Sequence, residues 1–292
     1  MIHFSSQQRE AIRKGALSRQ SLIRETEKAV KLAFREVREG EKQDTILFGT
    51  TGIGKTYNVE KAVKDSGVPY RILQGNMSIF AFGGNLMVLH SMIPENQKMI
   101  IIVDDCDTFF SNKDTINILK GMTGAPGSRR FQYNKKISEH LFTDVQNAIM
   151  PHYQTPGEHG FIIPCDNFIF IFTTNFQLPY ENAVNDAQRR NGGSAAANRK
   201  MDLSAIRSRT ITKDFLLDKE TNWGWIAQVA LSDEGLHMLE REEDKIILLD
   251  WMWNNWEIMK EHNIRTIEKL AYEMIDYPES YRDNWEYDFL IN

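Results

Sequence analysis

The sequence predicts an α/β protein: a parallel sheet flanked by helices, followed by a small all-helical domain. Apolar, strand-like segments alternate with helix-like segments as far as about residue 217. The segments 98–107 and 167–176 carry runs of consecutive apolar residues, which is typical of parallel strands covered on both faces. Beyond residue 218 the pattern is helical only and rich in Trp, Glu and Lys. These observations predict a core over 41–217 and a helical domain over 218–292.

The elements follow in a simple order along the chain. Residues 1–40 are charged and helix-prone, with apolar residues near helical spacing, and form a separate N-terminal segment. Within the core, a strand before a glycine-rich turn opens a series in which strands and helices alternate. The predicted strands are 43–49, 68–75, 98–107, 167–176 and 209–217, and the predicted helices are 55–67, 84–92 and 114–122.

Composition limits the classes of function. The net charge is -5, so any contact with nucleic acid must come from a local basic surface. The two cysteines, Cys106 and Cys165, lie in or beside apolar segments and favour a reducing compartment over a disulfide framework. No apolar run approaches the roughly 18 residues that span a bilayer. We therefore expect a cytoplasmic protein without a membrane partner.

The glycine-rich turn matches the phosphate-binding pattern G-x-x-x-x-G-K-[ST] between a predicted strand and a predicted helix. In such a loop, backbone N–H groups and the start of the following helix surround the phosphates of ATP. Lys55 is expected to reach the β- and γ-phosphates, and Thr56 to bind Mg²⁺. The predicted nucleotide-binding residues are Gly49, Thr50, Thr51, Gly52, Ile53, Gly54, Lys55 and Thr56.

Two carboxylates follow the strand 98–107, where open α/β sheets bind ligands. Asp104 is expected to hold Mg²⁺, directly or through water. Asp105 is expected to orient the water that attacks the γ-phosphate. The sequence thus predicts a site for ATP and Mg²⁺ at the carboxyl ends of the strands.

In this order, the motifs resemble those of the AAA+ ATPase family over about residues 40 to 275. Asn175, at the end of "FIFIFTTN", resembles the first sensor residue, which lies beside the γ-phosphate. Arg209, in "LSAIRSRTITKDF", resembles the arginine finger that completes a neighbouring subunit's site, with Arg207 as the alternative. Arg265, in "NIRTIEKLAYEM", resembles the second sensor in a helical lid. The resemblance implies ATP hydrolysis at subunit interfaces of a homo-oligomer, a ring or spiral such as a hexamer.

One position departs from the family pattern. Members of the family usually have Asp-Glu at the strand end, and this chain has Asp104-Asp105. Aspartate is one methylene shorter than glutamate, so we expect looser positioning of water and slow turnover. This departure keeps open an ATP-binding switch or scaffold that hydrolyses weakly.

Two further segments bear on what the ATP is used for. The cations Arg129, Arg130, Lys135 and Lys136 flank "FQYN" and, with residues 160–168, could form a basic hairpin that tracks nucleic acid. This favours loading or remodelling of a nucleic-acid complex of the replication type. The alternative is a protein-remodelling motor, because Phe80 or Phe82 in "SIFAFGGN" resembles the pore loop of protein-unfolding members. Core packing is the competing interpretation for both phenylalanines.

Overall fold

The computed structural model describes residues 3–36, 38, 41–74, 76–136, 142–155, 159–179, 195–232 and 235–291. Within these ranges, no helix has the length and apolar character needed to cross a membrane. The strands are β1 (Thr45–Gly49), β2 (Tyr70–Gln74), β3 (Met99–Asp104), β4 (Arg130–Tyr133), β5 (Phe161–Pro164), β6 (Phe168–Thr174) and β7 (Ile211–Phe215).

The helices of the core and of the C-terminal region follow in chain order. Short 3₁₀ turns lie at Leu32–Phe34, Cys106–Thr108, Met150–Tyr153 and Trp256–Ile258. The α-helices are α1 (Ser6–Lys31), α2 (Lys55–Ser66), α3 (Ile79–Met92), α4 (Lys113–Met122), α5 (Asp144–Ile149), α6 (Ala195–Arg209), α7 (Lys219–Leu231), α8 (Glu242–Asn255), α9 (Ile264–Asp276) and α10 (Tyr281–Phe289).

Five strands form the central sheet in the order β2–β3–β6–β1–β7. The pairs β2–β3, β3–β6 and β1–β6 are parallel. A backbone hydrogen bond from Ile211 N to Asp44 O joins the starts of β7 and β1, and one from Thr50 N to Phe215 O joins their ends. Strand β7 therefore also runs parallel to β1. Strands β1 and β6 are buried along their whole length. The predicted α/β fold with a parallel sheet is confirmed.

Before β6 the chain forms a two-stranded antiparallel hairpin, in which β4 pairs with β5. The hairpin is the one expected from the sequence, but its first cation was misread. Arg129 is 1% exposed, and its guanidinium donates both Nη2 protons to Asp44, at 2.6 and 2.7 Å. Arg129 is therefore a structural residue, because a buried and paired guanidinium cannot contact a nucleic acid backbone.

Within the segment 78–85, residues 79–85 form the start of α3 and are not a loop, and residues 82–84 are buried. The Ser78 hydroxyl accepts from the N–H of Ala81 and caps α3. Phe82 is 0% exposed and packs against Phe109 and Phe131. Phe80 is half-buried and stacks on Phe142, with ring centroids 4.4 Å apart. The core-packing interpretation of both phenylalanines is confirmed.

The chain forms two compact units. One unit comprises the residues up to Arg24, the loop Thr50–Lys55 and everything from Phe215 onward. The other comprises Glu25–Gly49 and Thr56–Asp214. The long helix α1 therefore contributes residues to both units, as does the chain around the glycine-rich turn.

Within the first unit, α1 and α7 touch through their backbones. A Cβ added to Gly15 would lie 2.1 Å from the carbonyl carbon of Gly224. One added to Gly224 would lie 1.8 Å from the carbonyl oxygen of Ala11. Real Cβ atoms do not approach other atoms so closely, so the crossing requires glycine at both positions. Beside it, Trp223 is fully buried and its indole N–H donates to Leu249 O at 3.0 Å.

Candidate nucleotide site

The glycine-rich turn leaves β1 at Gly49 and enters α2 at Lys55, as predicted. Gly52 has φ +75° and Gly54 has φ +76°, a region that side chains other than glycine rarely adopt. These positive φ values bend the loop between the strand and the helix. Both glycines therefore stand at positions where the backbone conformation of the loop favours glycine.

Contacts within the first unit hold the loop at both ends. Thr50 donates its N–H to Phe215 O at 3.0 Å, and its hydroxyl accepts from Leu217 N at 3.0 Å. The Lys55 ammonium donates to Thr50 O at 2.9 Å and is largely buried. The lysine side chain thus folds back toward the loop. Within the loop, Thr51 is exposed and Ile53 is buried.

The second residue of α2 meets the acidic end of β3. The Thr56 hydroxyl donates a short hydrogen bond to Asp104 Oδ1. The same carboxylate oxygen accepts from Thr173 Oγ1 at 2.6 Å. Thr56 and Asp104, both predicted to hold Mg²⁺, are therefore in direct contact. The sequence did not single out Thr173, although its position near the polar end of "FIFIFTTN" was visible.

Asp105 follows Asp104 in an unusual backbone conformation, with φ 51° and ψ 48°. Such left-handed geometry is uncommon outside glycine and costs on the order of 1–3 kcal/mol, and it clusters at functional sites. The Asp105 side chain is exposed, and its N–H donates to Thr173 Oγ1 at 3.3 Å. The conformation presents the Asp105 carboxylate to solvent beside Asp104.

Cys106 directly follows Asp104 and Asp105 in the chain and is fully buried. Burial raises the pKa of its thiol well above the usual value, and the nearby charge of Asp107 raises it further. The thiol donates to Thr173 O at 3.2 Å. Cys106 therefore stays protonated and serves packing, not nucleophilic chemistry.

The predicted sensor Asn175 lies just past the end of β6 and is exposed. Asp107 Oδ1 accepts its backbone N–H at 2.9 Å and also accepts the Thr174 hydroxyl. Because β3 and β6 are adjacent and parallel, the chain segments after them meet at one edge of the sheet. Asp104, Asp105 and Asn175 are thus brought to the same edge, with Asp107 fixing the backbone of Asn175.

The predicted second sensor lies on a helix whose cap touches the glycine loop. Asn263 caps α9 by accepting from Thr266 N at 3.0 Å. A Cβ added to Gly52 would lie 2.5 Å from the Asn263 Cβ, so the loop and the start of α9 are in contact. Arg265 is the second residue of α9 and is exposed.

The two candidates for the arginine finger, Arg207 and Arg209, differ in their surroundings. Arg207 donates to Leu178 O at 2.8 Å, pairs with Asp214 at 3.3 Å and lies over the Phe48 ring. Its side chain is only 15% exposed. Arg209, the last residue of α6, is exposed. An arginine that serves a neighbouring subunit has to be accessible, which favours Arg209.

The donor chemistry fits Mg²⁺, which favours oxygen ligands and commonly takes one or two carboxylates together with phosphates and water. Asp104 and the Thr56 hydroxyl, which are hydrogen-bonded to each other, supply such oxygens. In the described ranges, no group of three or more His, Cys, Asp and Glu is placed to hold a metal by itself. The further ligands of a metal at Asp104 would be phosphate oxygens and water.

Comparison with known proteins assigns no family to the chain. No protein-family model matches the chain, and no curated protein sequence matches it significantly.

Proposed function

We propose that this protein is an ATPase that binds ATP and Mg²⁺ at the turn 49–56 and hydrolyses the γ-phosphate bond. The observation that carries the proposal is the hydrogen-bonded pair of Thr56 and Asp104 at the carboxyl edge of a parallel sheet. Directly before it lies a loop with positive φ at Gly52 and Gly54. Ligands of open α/β sheets bind at this edge, and backbone N–H groups at a helix start favour phosphate.

Each residue then has one role. Lys55 neutralises the β- and γ-phosphates, and Thr56 and Asp104 hold Mg²⁺, whose charge stabilises the transferring phosphoryl group. Asp105 orients the attacking water. Asn175 contacts the γ-phosphate and the water. The left-handed backbone of Asp105 supports its assignment, since strained residues cluster at active sites.

The enzyme we propose is of AAA+ type and acts as a homo-oligomer, a ring or spiral such as a hexamer. Arg209 would complete the site of a neighbouring subunit, and its exposure supports this role over Arg207. Arg265 would act as the second sensor in a lid formed by the C-terminal helices. The contact between Asn263 and the glycine loop supports that assignment.

Hydrolysis would load or remodel a macromolecular complex, with a nucleic-acid complex favoured. Of the four cations named from sequence, Arg130 and Lys136 are exposed, Lys135 pairs with Asp114 at 2.6 Å, and Arg129 is buried. The case for a basic hairpin therefore rests on Arg130 and Lys136. A protein-threading motor is less well supported, because Phe82 lies in the core.

A weakly hydrolysing switch is the second candidate, and Asp105 favours it. Its side chain is a methylene shorter than that of glutamate, so its carboxylate reaches less far toward the attacking water. Such a protein would bind ATP and Mg²⁺ through the same residues but turn over only slowly. Turnover measurements separate this candidate from a motor.

The test is steady-state ATP turnover at several protein concentrations, with and without single- and double-stranded DNA. We expect Mg²⁺-dependent turnover that rises with protein concentration and with DNA. Lys55→Ala should abolish nucleotide binding or turnover, because it removes the phosphate-facing ammonium. Lys61→Ala, at an exposed lysine on the same helix, is the matched control and should behave as wild type.

Three results would argue otherwise. Normal turnover in Lys55→Ala would refute the nucleotide site. Turnover that is the same with and without DNA would favour a protein partner over a nucleic acid. Tight ATP binding with almost no turnover, whatever the DNA or protein concentration, would favour the switch.

A further inference from the structure

The Thr173 hydroxyl lies at the centre of the acidic edge. Thr173 is buried near the end of β6. Its Oγ1 donates to Asp104 Oδ1 at 2.6 Å and accepts from Asp105 N at 3.3 Å. Thr56 Oγ1 is 3.4 Å away. One hydroxyl therefore contacts the pair expected to hold Mg²⁺ and the backbone of the residue expected to orient water.

The hydrogen-bonding capacity of this hydroxyl is well used. A threonine hydroxyl has one proton and two acceptor lone pairs. The proton goes to Asp104, and a lone pair receives the Asp105 N–H. Asp104 Oδ1 thereby accepts two hydroxyl protons, one from Thr56 and one from Thr173. The orientation of the Asp104 carboxylate and the backbone position of Asp105 are thus set by a shared atom.

We propose that Thr173 is a positioning residue, whose hydroxyl couples the metal-holding carboxylate of Asp104 to the water-orienting residue Asp105. The inference rests on the proposed ATPase function and assigns a role to a residue that does not itself touch the phosphates. Groups that orient a metal ligand are commonly worth about 10- to 100-fold in activity or metal affinity when removed. The same scale is expected at Thr173.

Two substitutions separate the hydroxyl from the packing of the side chain. Thr173→Val keeps nearly the same shape and removes the hydroxyl, and Thr173→Ser keeps the hydroxyl and removes the methyl. Thr45→Val is the matched control on the neighbouring strand β1. Thr45 is also a buried threonine, but its hydroxyl has no hydrogen-bond partner among the residues that the structure describes.

The experiment measures kcat, the Mg²⁺ concentration that gives half-maximal turnover, ATP affinity without Mg²⁺, and the melting temperature. For Thr173→Val we expect kcat to fall about 10- to 100-fold and the half-maximal Mg²⁺ concentration to rise. ATP affinity without Mg²⁺ should stay near wild type, because the glycine loop is untouched. Thr173→Ser should recover most of kcat and the Mg²⁺ response, and Thr45→Val should match wild type.

Distinct outcomes would overturn the inference. If Thr173→Val hydrolyses ATP with wild-type kcat and Mg²⁺ dependence, the hydroxyl has no positioning role. If the Val and Ser variants lose kcat equally, in step with melting temperature, Thr173 acts only through packing. A wild-type protein that neither binds nor hydrolyses ATP would refute the proposed function itself, and this inference with it.

Discussion

At the scale of single residues, two arginines at the end of α6 show how neighbouring positions acquire different tasks. Arg207 and Arg209 are two residues apart, so their side chains leave the helix about 160° from each other. Arg207 packs on Phe48 and pairs with Asp214, whereas Arg209 is exposed. Arg207 is thus held within its own chain, and the exposure of Arg209 is what its proposed role at a neighbouring subunit requires.

This difference predicts opposite effects of substitution. Arg209→Ala should leave ATP affinity and melting temperature unchanged while turnover falls by about 10³-fold or more, the usual value of an arginine finger. Arg207→Ala should lower the free energy of unfolding by about 1–3 kcal/mol, because hydrogen bonds of a charged group are lost. Turnover assays, nucleotide binding and urea unfolding measure these effects. If turnover collapsed in an Arg207→Ala variant of unchanged stability, Arg207 and not Arg209 would be the arginine finger.

At the scale of elements, the buried side chain of Arg129 links the β4–β5 hairpin to the sheet. All five N–H protons of Arg129 are used. Nε donates to Met122 O, Nη1 donates to Gln43 Oε1 and Phe168 O, and Nη2 donates to both oxygens of Asp44. The guanidinium thereby connects α4, the start of β1 and the start of β6 to the hairpin.

Removing this guanidinium should be costly. Arg129→Met leaves the Asp44 carboxylate buried without a cation, which typically costs about 3–5 kcal/mol of unfolding free energy. Arg130→Met, at the exposed next residue, should change it by less than about 0.5 kcal/mol. Urea unfolding monitored by tryptophan fluorescence measures both variants. Equal stability of the two would mean that the hairpin does not depend on Arg129.

The elements also show what the sequence could and could not predict. The sheet strands, α2 and the glycine loop were predictable because their signals are local: apolar runs, glycine spacing and a lysine at a helix start. Arg129 was misread, and the position of Phe82 was left open, because burial depends on contacts with distant segments, here Asp44 and Phe131. Thr173 was missed for the same reason, since its role depends on β3 and β6 being neighbours.

At the scale of the whole molecule, the proposed site needs groups from two copies of the chain. The phosphate-binding residues and Arg209 then belong to different subunits of one active site. Such heterologous contacts form rings when the rotation closes and spirals when it does not. Activity should therefore depend on which subunits are neighbours.

Mixing two inactive variants tests this dependence. Lys55→Ala subunits keep Arg209, and Arg209→Ala subunits keep Lys55. In a 1:1 mixture about a quarter of the interfaces would join an intact Lys55 to an intact Arg209, so turnover should reappear. Each variant alone at the same total concentration is the control. No recovery, despite co-assembly seen by sedimentation, would show that Arg209 does not act in trans.

The backbone contact between α1 and α7 limits how this chain can diverge in evolution. Gly15 and Gly224 face main-chain atoms, not side chains. A second substitution elsewhere could shorten a side chain, but it could not remove a carbonyl group. Sterics therefore restrict both positions to glycine, independently of the side chains around them. A distant relative that keeps this helix crossing would retain both glycines, even after the surrounding sequence had changed beyond detectable similarity.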